Sequence, residues 1–392
     1  MNTWLANFAF KLCAKEKQVS EMVQRNLNEV IGEAVASIKG TEQKRRLFAE
    51  KLLILKQRNL QDFESKELVE QSLIFPMNMR KLNCTVAGVD SGFLMKSLHA
   101  ADMLILRTCA AIFTYSESSL SNAQYYPNLY SFPIPELNTK ALERDELSCS
   151  KSLKRLYEEV KMAKEVIEKF SPHFMLIDGS IIPQYADKPR PDSCVIDNYK
   201  GIINEFQSLY KVSEKNSCEL IACVKDSRGS RFRSIIQEEL LTKEKLIDAA
   251  MLDECFDSNL LDYLLKKGER SFAFSYTKSI SEHPVLHDFS EEYAKKIFAF
   301  YMKPSALDRP LRVEFLHSNG ADLTKHTNEI AGAVYALSSL HREFAYPSVL
   351  IEADLRARLR PEEVETVYNK IIDKLGRNSA FMALRRNSRP FR

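Results

Sequence analysis

Thr85-Val86-Ala87-Gly88-Val89-Asp90-Ser91-Gly92-Phe93 is the stretch on which the reading of the fold turns. Small and β-branched residues without charge lead up to Asp90, as in a central strand covered on both faces. The Ser-Gly pair after it predicts a sharp exit from the sheet. Asp is a poor strand residue. An acid at the mouth of a buried strand either caps the turn through its own backbone or needs a basic side chain or a metal ion beside it.

The same ending returns at residues 173–178, an apolar run that closes on Asp178-Gly179-Ser180. Loops at strand ends converge on one edge of an open α/β sheet, so Asp90 and Asp178 are expected to share a site. Two acids so placed repel unless a cation lies between them. Oxygen ligands with no Cys or His cluster point to Mg²⁺ or Mn²⁺. A third acid is expected from a helix over residues 147–170, whose apolar stripe runs through Leu153, Leu156, Val160, Ala163, Ile167 and Phe170. Glu159 borders that stripe, whereas Glu158 shares its face with Lys154, Arg155 and Lys161. Glu159 is therefore the choice and Glu158 the fallback.

Lys225 closes another apolar strand, 220–224. It either balances the acids, contacts a phosphate, or sits at an exposed strand end. Near the C-terminus, Tyr346, Glu352 and Asp354 bracket what reads as a short strand. Alternation would put Glu352 and Asp354 on one side, where one of them completes the metal shell.

Around these motifs the chain alternates between helical and strand patterns. Residues 19–73 read as a helical segment broken near Gly40, and residues 84–115 as three successive strands of an antiparallel meander. Residues 116–138 read as a loop whose Tyr125, Tyr126, Tyr130 and Phe132 either stack on bases or fold back onto the core. Helices are expected over 196–209, 233–266, 323–342 and 361–374, the last with Pro361 at its first position. Strand-like runs cover 272–276, 297–302 and 311–316. With 392 residues, 45% hydrophobic and 28% charged, the chain has the balance of a soluble globular protein. A net charge of +3 does not by itself indicate a polyanion partner. Basic residues cluster at 44–46, 225–233 and 385–392. The eight cysteines are scattered and form neither a zinc ribbon nor a disulfide framework, which fits reduced thiols in a cytoplasmic protein. No apolar run reaches the roughly 20 residues needed to span a bilayer.

Taken in order, the Asp90, Asp178 and Lys225 blocks, residues 257–265 with Gly268-Glu269-Arg270, and Tyr346-Pro347-Ser348-Val349-Leu350-Ile351-Glu352-Ala353-Asp354 resemble the NurA nucleases. The resemblance implies an α/β fold, a ribonuclease H-like mixed sheet flanked by helices, here with an N-terminal helical extension. The resemblance covers about 80–375, so the expected organisation is 81–376 as the nuclease domain, with the helical extension 1–80 outside the resemblance and 377–392 as a basic tail. It further implies a homodimer that uses Mn²⁺ (or Mg²⁺) and degrades DNA 5′ to 3′ in end resection, docked on a HerA-type hexameric translocase. Asp90, Glu159 and Asp178 would be its metal-binding carboxylates and Tyr346 a site tyrosine. Asp354 stands where some members carry His, so it acts either as a base or as a further ligand. A metal-dependent DNA nuclease, with Lys225 offsetting developing charge, is the leading expectation. The alternative is a non-catalytic subunit that docks a motor ATPase on DNA. An ATP-handling protein would need Gly-rich phosphate loops, which 11 glycines do not supply.

Overall fold

The computed structural model describes residues 2–99, 101–241, 252, 255–318, 320–376 and 384. One mixed sheet organises them. Its strands are β1 (Ile74–Pro76), β2 (Thr85–Ser97), β3 (Asp102–Ser116), β4 (Ser119–Tyr126), β5 (Ile134–Asn138), β6 (Phe174–Asp178), β7 (Glu219–Val224), β8 (Glu269–Ser271), β9 (Phe274–Ser275), β10 (Ile297–Lys303) and β11 (Leu311–Leu316). Their order is β1-β8-β10-β11-β7-β6-β2-β3-β4, with β5 added to β3 and β9 to β10. Only the central pairs β2-β6 and β6-β7 are parallel. Where they pair, at residues 86–89, 174–177 and 220–223, these strands are uncharged and buried, as covering on both faces requires.

Helix α1 (Asn2–Leu52) precedes the sheet. Helices α2 (Arg144–Phe170) and α3 (Ile196–Lys215) cover one face, with Val160, Ile167, Ile203 and Phe206 packed on Val89, Ile177 and Ala222. Helix α2 starts on a reciprocal cap between Glu143 and Glu146 and stops at Ser171, whose φ of 45° turns the chain into Pro172. Short helices α4 (Arg231–Ile235) and α5 (Asp257–Leu264) close a separate core with the end of α1, through Phe48, Leu52, Phe232 and Leu261. Helices α6 (Leu323–Ser338) and α7 (Ser348–Ala357) cover the second face of the sheet. The last helix is α8 (Pro361–Leu375).

The mixed sheet flanked by helices agrees with the fold class read from the sequence. Several elements differ. The strand carrying Asp90 does not end in a turn: β2 runs on to Ser97 and pairs with β3 throughout, from Thr85↔Thr114 to Ser97↔Asp102. Two long strands thus replace the expected three. Gly92 marks a close approach of backbone instead, since a Cβ there would lie 2.2 Å from the Ala357 carbonyl oxygen. Residues 116–138 hold β4 and β5, whose polar, largely exposed side chains belong to edge strands and hide the β pattern. The segment carrying Glu352 and Asp354 is helix α7, not a strand. Val349, Leu350, Ala353 and Ala357 are its buried side, at helical spacing, and two residues along a helix do not share a face. Helix α1 continues through Gly40, since one glycine costs only about 1 kcal/mol in a long helix. The expected helix 233–266 is in part α4 and α5; residues 242–251, 253 and 254 lie outside the described residues, as does the basic tail 377–392 except Leu384. No helix among the described residues is long and apolar enough to cross a membrane.

Candidate metal and phosphodiester site

Parallel pairing of β2 with β6 ends at Val89↔Ile177, so Asp90 and Asp178 follow side by side at one edge of the sheet. Side chains alternate along a strand. Val89 and Ile177 pack under α2 and α3, while Gly88 lies against Leu350 and Val349 of α7. Asp90, two residues on from Gly88, therefore stands on the α7 side. Ser91 points the other way, and its hydroxyl donates a hydrogen bond to Glu159 Oε1. Glu159 is buried and also paired with Arg155, one turn earlier in α2, at 2.9 Å. Glu158 instead pairs with Lys154 at 3.0 Å on the outer side of the helix.

Asp178 has two partners. Lys225 Nζ lies 2.7 Å from its Oδ2, and the Tyr346 hydroxyl lies 2.9 Å from its Oδ1. The Lys225 ammonium also sits 4.3 Å from the centre of the Tyr346 ring. Burial beside Cys223 and Asp178 pushes the Tyr346 hydroxyl well above its ordinary pKa, so it stays a donor. After Asp178 the chain turns at Gly179, with φ of 120°, a conformation that favours glycine. Glu314 of β11 anchors this turn by accepting from Ser180 Oγ at 2.7 Å and from the Ile181 amide at 2.9 Å.

Asp90 is the unbalanced member of the cluster. It is only 8% exposed and has no cationic partner among the described residues. Burial, then the carboxylates of Glu159 and Asp178, push its pKa up to about 8, with Asp354 adding to the effect. Burial likewise raises Glu159, against the pull of Arg155. Asp354, exposed on α7, is thus the acid of that helix whose charge reaches the site. Glu352 does not: it accepts from the Tyr125 hydroxyl at 2.9 Å and from Arg356 Nε at 2.8 Å. All six residues singled out in the sequence, Asp90, Glu159, Asp178, Lys225, Tyr346 and Asp354, are brought to one edge of the sheet. Ser91, Arg155 and Glu314 were not singled out. Arg155 alone had a local signal, its position four residues before Glu159.

Glu159, Arg155, Asp178 and Ser180 line a cleft of about 150 Å³. Among the described residues no three His, Cys, Asp or Glu side chains form a ready-made metal cage. Glu159 and Asp178 are drawn instead onto Ser91, Arg155, Lys225 and Tyr346. The donor chemistry nevertheless fits a hard divalent cation. It is all oxygen, and its central carboxylate stays unneutralised by any neighbour.

A family model, the NurA domain, matches residues 84–359. The chain belongs to the NurA family. The resemblance seen in the sequence blocks is therefore established over most of the length where it was read. This NurA-family chain is similar to the crystal structure of the NurA nuclease from Sulfolobus solfataricus, with 15% identity over 84% of this chain and 93% of that one and a TM-score of 0.49. A NurA structure bound to dAMP and manganese shares 11% identity over 86% and 97%, with a TM-score of 0.40. Endonuclease V from Bacillus subtilis shares 12% over 76% and 88%, with a TM-score of 0.33. Likenesses at these identities and scores assign no residue a role. No curated protein matches the sequence.

Proposed function

We propose that this NurA-family chain is a divalent-metal-dependent deoxyribonuclease, and that Asp90, Glu159 and Asp178 hold its metal. The observation that carries the reading is Asp90: a buried carboxylate crowded by Glu159, Asp178 and Asp354, without a cation of its own. Membership in the NurA family supports the same chemistry. Mn²⁺ is the ion of the reading, with Mg²⁺ sharing its preference for oxygen. A bound divalent ion supplies activated water and neutralises charge developing on a phosphodiester.

The chain's own residues do the rest. Ser91 and Arg155 hold the Glu159 carboxylate at the cleft, and Tyr346 orients Asp178. Lys225, already beside Asp178, presents a positive charge to an incoming phosphate. A second cavity of about 710 Å³ adjoins Lys225 and carries Arg228 and Arg231 alongside Asp226, Glu238 and Glu314, with Lys225 and Arg231 already paired to Asp178 and Glu67. The order β4-β3-β2-β6-β7 supports a ribonuclease H-like core.

The finer parts of the reading are a 5′ to 3′ exonuclease, with single-strand endonuclease activity, working in DNA end resection as a cytoplasmic homodimer docked on a HerA-type hexameric ATPase. Asp354 is a further ligand or a base in it. The capture of Glu159 and Asp178 by protein cations favours one rival, a non-catalytic subunit that docks such a motor on DNA. End-labelled DNA decides between them. Mn²⁺-dependent shortening from the 5′ end, abolished in Asp178→Asn, is expected; binding without cleavage at any Mn²⁺ concentration would leave the docking subunit.

A further inference from the structure

Tyr130 and Phe132 sit on the loop between β4 and β5 with 78% and 90% of their surface exposed. Neither folds back onto the core, although two large rings in water represent a substantial loss of hydrophobic burial. The loop lines a cavity of about 200 Å³ together with Arg356 at the end of α7, Arg358 and Arg360 between α7 and α8, and Glu363 of α8. Arg107 lies at its base, tied to the Arg358 carbonyl oxygen at 3.1 Å and to Glu363. Arg356 is bound to Glu352 and lies 5.2 Å over the Tyr125 ring. Arg358 and Arg360 are exposed and form no ion pair among the described residues.

The cavity adjoins the acids. Arg107 is the cross-strand partner of Gly92, and Cys109 is that of Asp90. Ser131, between the two rings, lies near enough to the Cys109 thiol to counter part of the rise that burial causes in its pKa. The aromatic loop therefore passes directly beside the strand position that carries the central carboxylate.

We propose that Tyr130 and Phe132, with Arg358 and Arg360 of the same cavity, form a stacking site for unpaired bases of a single strand next to Asp90. The inference rests on the nuclease reading only for what the strand meets next. Exposed rings provide π-faces that any base can use, and free guanidinium groups pair with phosphates. Paired bases present no open face to such rings, so the site selects single strands over duplex. A second copy of the chain is the poorer occupant. A two-fold interface on this patch would bury the Arg356, Arg358 and Arg360 of both copies in one region.

The test is fluorescence anisotropy of the full chain with a labelled thymidine oligomer and with a matched hairpin duplex, in EDTA so that nothing is cut. Tyr130→Ala/Phe132→Ala should lose roughly 10- to 100-fold in affinity for the oligomer, the range expected when one or two stacked bases lose their ring, with duplex binding and the salt slope unchanged. Arg358→Gln/Arg360→Gln should weaken binding and flatten the salt slope by about 0.7 for each phosphate left without its guanidinium. Tyr130→Phe/Phe132→Tyr, which keeps both rings, should bind as the wild type does. Wild-type affinity in the double-alanine chain overturns the proposal. So does an equal loss for oligomer and duplex, or a change of sedimenting mass in place of a change in affinity. A wild-type chain that binds through the rings but cuts nothing in Mn²⁺ defeats the nuclease reading and leaves this one standing.

Discussion

Asp90 and Asp178 each stand one position beyond Val89↔Ile177, the last pair between the parallel strands β2 and β6, and so meet at the same edge of the sheet. Their closeness sets function against stability. The Asp90 pKa, raised to about 8 by burial and then by Glu159 and Asp178, exceeds its unfolded value. Such a group adds full stability only below its unfolded pKa and loses it as pH rises through the folded one. Asp90→Asn should therefore melt above the wild type, with the gap opening from about pH 4 towards pH 8, while cleavage falls by about 100-fold or more. Thermal melts over that range, paired with a cleavage assay, check both signs. A variant that cuts normally, or is the less stable chain at pH 8, contradicts the account.

Metal binding should carry the same pH signature. A cation at this site competes with the proton on Asp90, so affinity should rise as pH climbs towards 8. Mn²⁺ in hundredfold excess over its dissociation constant raises stability by about 2.7 kcal/mol. The melting shift caused by Mn²⁺ should be larger at pH 8 than at pH 6, and should vanish in Asp178→Asn. A shift of equal size at both pH values, or one that survives that substitution, would place the ion elsewhere.

The parts of this site legible in the sequence are those with short-range causes. Asp90, Asp178 and Lys225 each follow an apolar run, and Glu159 borders a stripe of helical period, so each position shows before any tertiary contact is known. Long-range contacts decide what was misread. Gly92 looks like a turn, yet β3 pairs β2 past it and the Ala357 carbonyl oxygen fills the room a Cβ would take. Val349-Leu350-Ile351 has strand propensity, but packing on β2 makes it helix, with the charge of Asp354 reaching Asp90 and Glu352 paired to Arg356. Ser91 and Glu314 act through partners 68 and 134 residues away, which no local pattern encodes.

The segment before the matched family domain is tied into the fold by a buried ion pair. Glu70 and Arg270 are fully buried and joined by two bonds, Nη1 to Oε2 at 2.9 Å and Nη2 to Oε1 at 2.8 Å. Arg270 Nε also reaches Asn328 Oδ1 at 2.9 Å. Removing one partner of such a pair strands the other charge in the core. Glu70→Ala should lose about 3 to 5 kcal/mol by denaturant unfolding, and removal of residues 1–83 should do at least as much damage. A loss below about 1 kcal/mol would mean that the guanidinium finds water or another acid.

Gly92 tests the link between the β2–β3 pair and helix α7. A Cβ at this position would stand 2.2 Å from the Ala357 carbonyl oxygen and 2.9 Å from its carbonyl carbon, both backbone atoms that cannot rotate away. Gly92→Ala must therefore push the end of α7 off β2, at a cost of about 1 to 3 kcal/mol. Asp354 lies one turn before Ala357, so it moves with the displaced end while Asp178, fixed by Tyr346 and Lys225, stays in place. Cleavage should then fall even at temperatures where the variant is fully folded. Gly88→Ala is the comparison: its Cβ would meet the Leu350 side chain at 3.0 Å and the backbone and side chain of Val349 at 3.2 Å, looser contacts nearer the start of the helix. Equal stability and activity in Gly92→Ala and the wild type would show that this end of α7 yields freely and does not position Asp354.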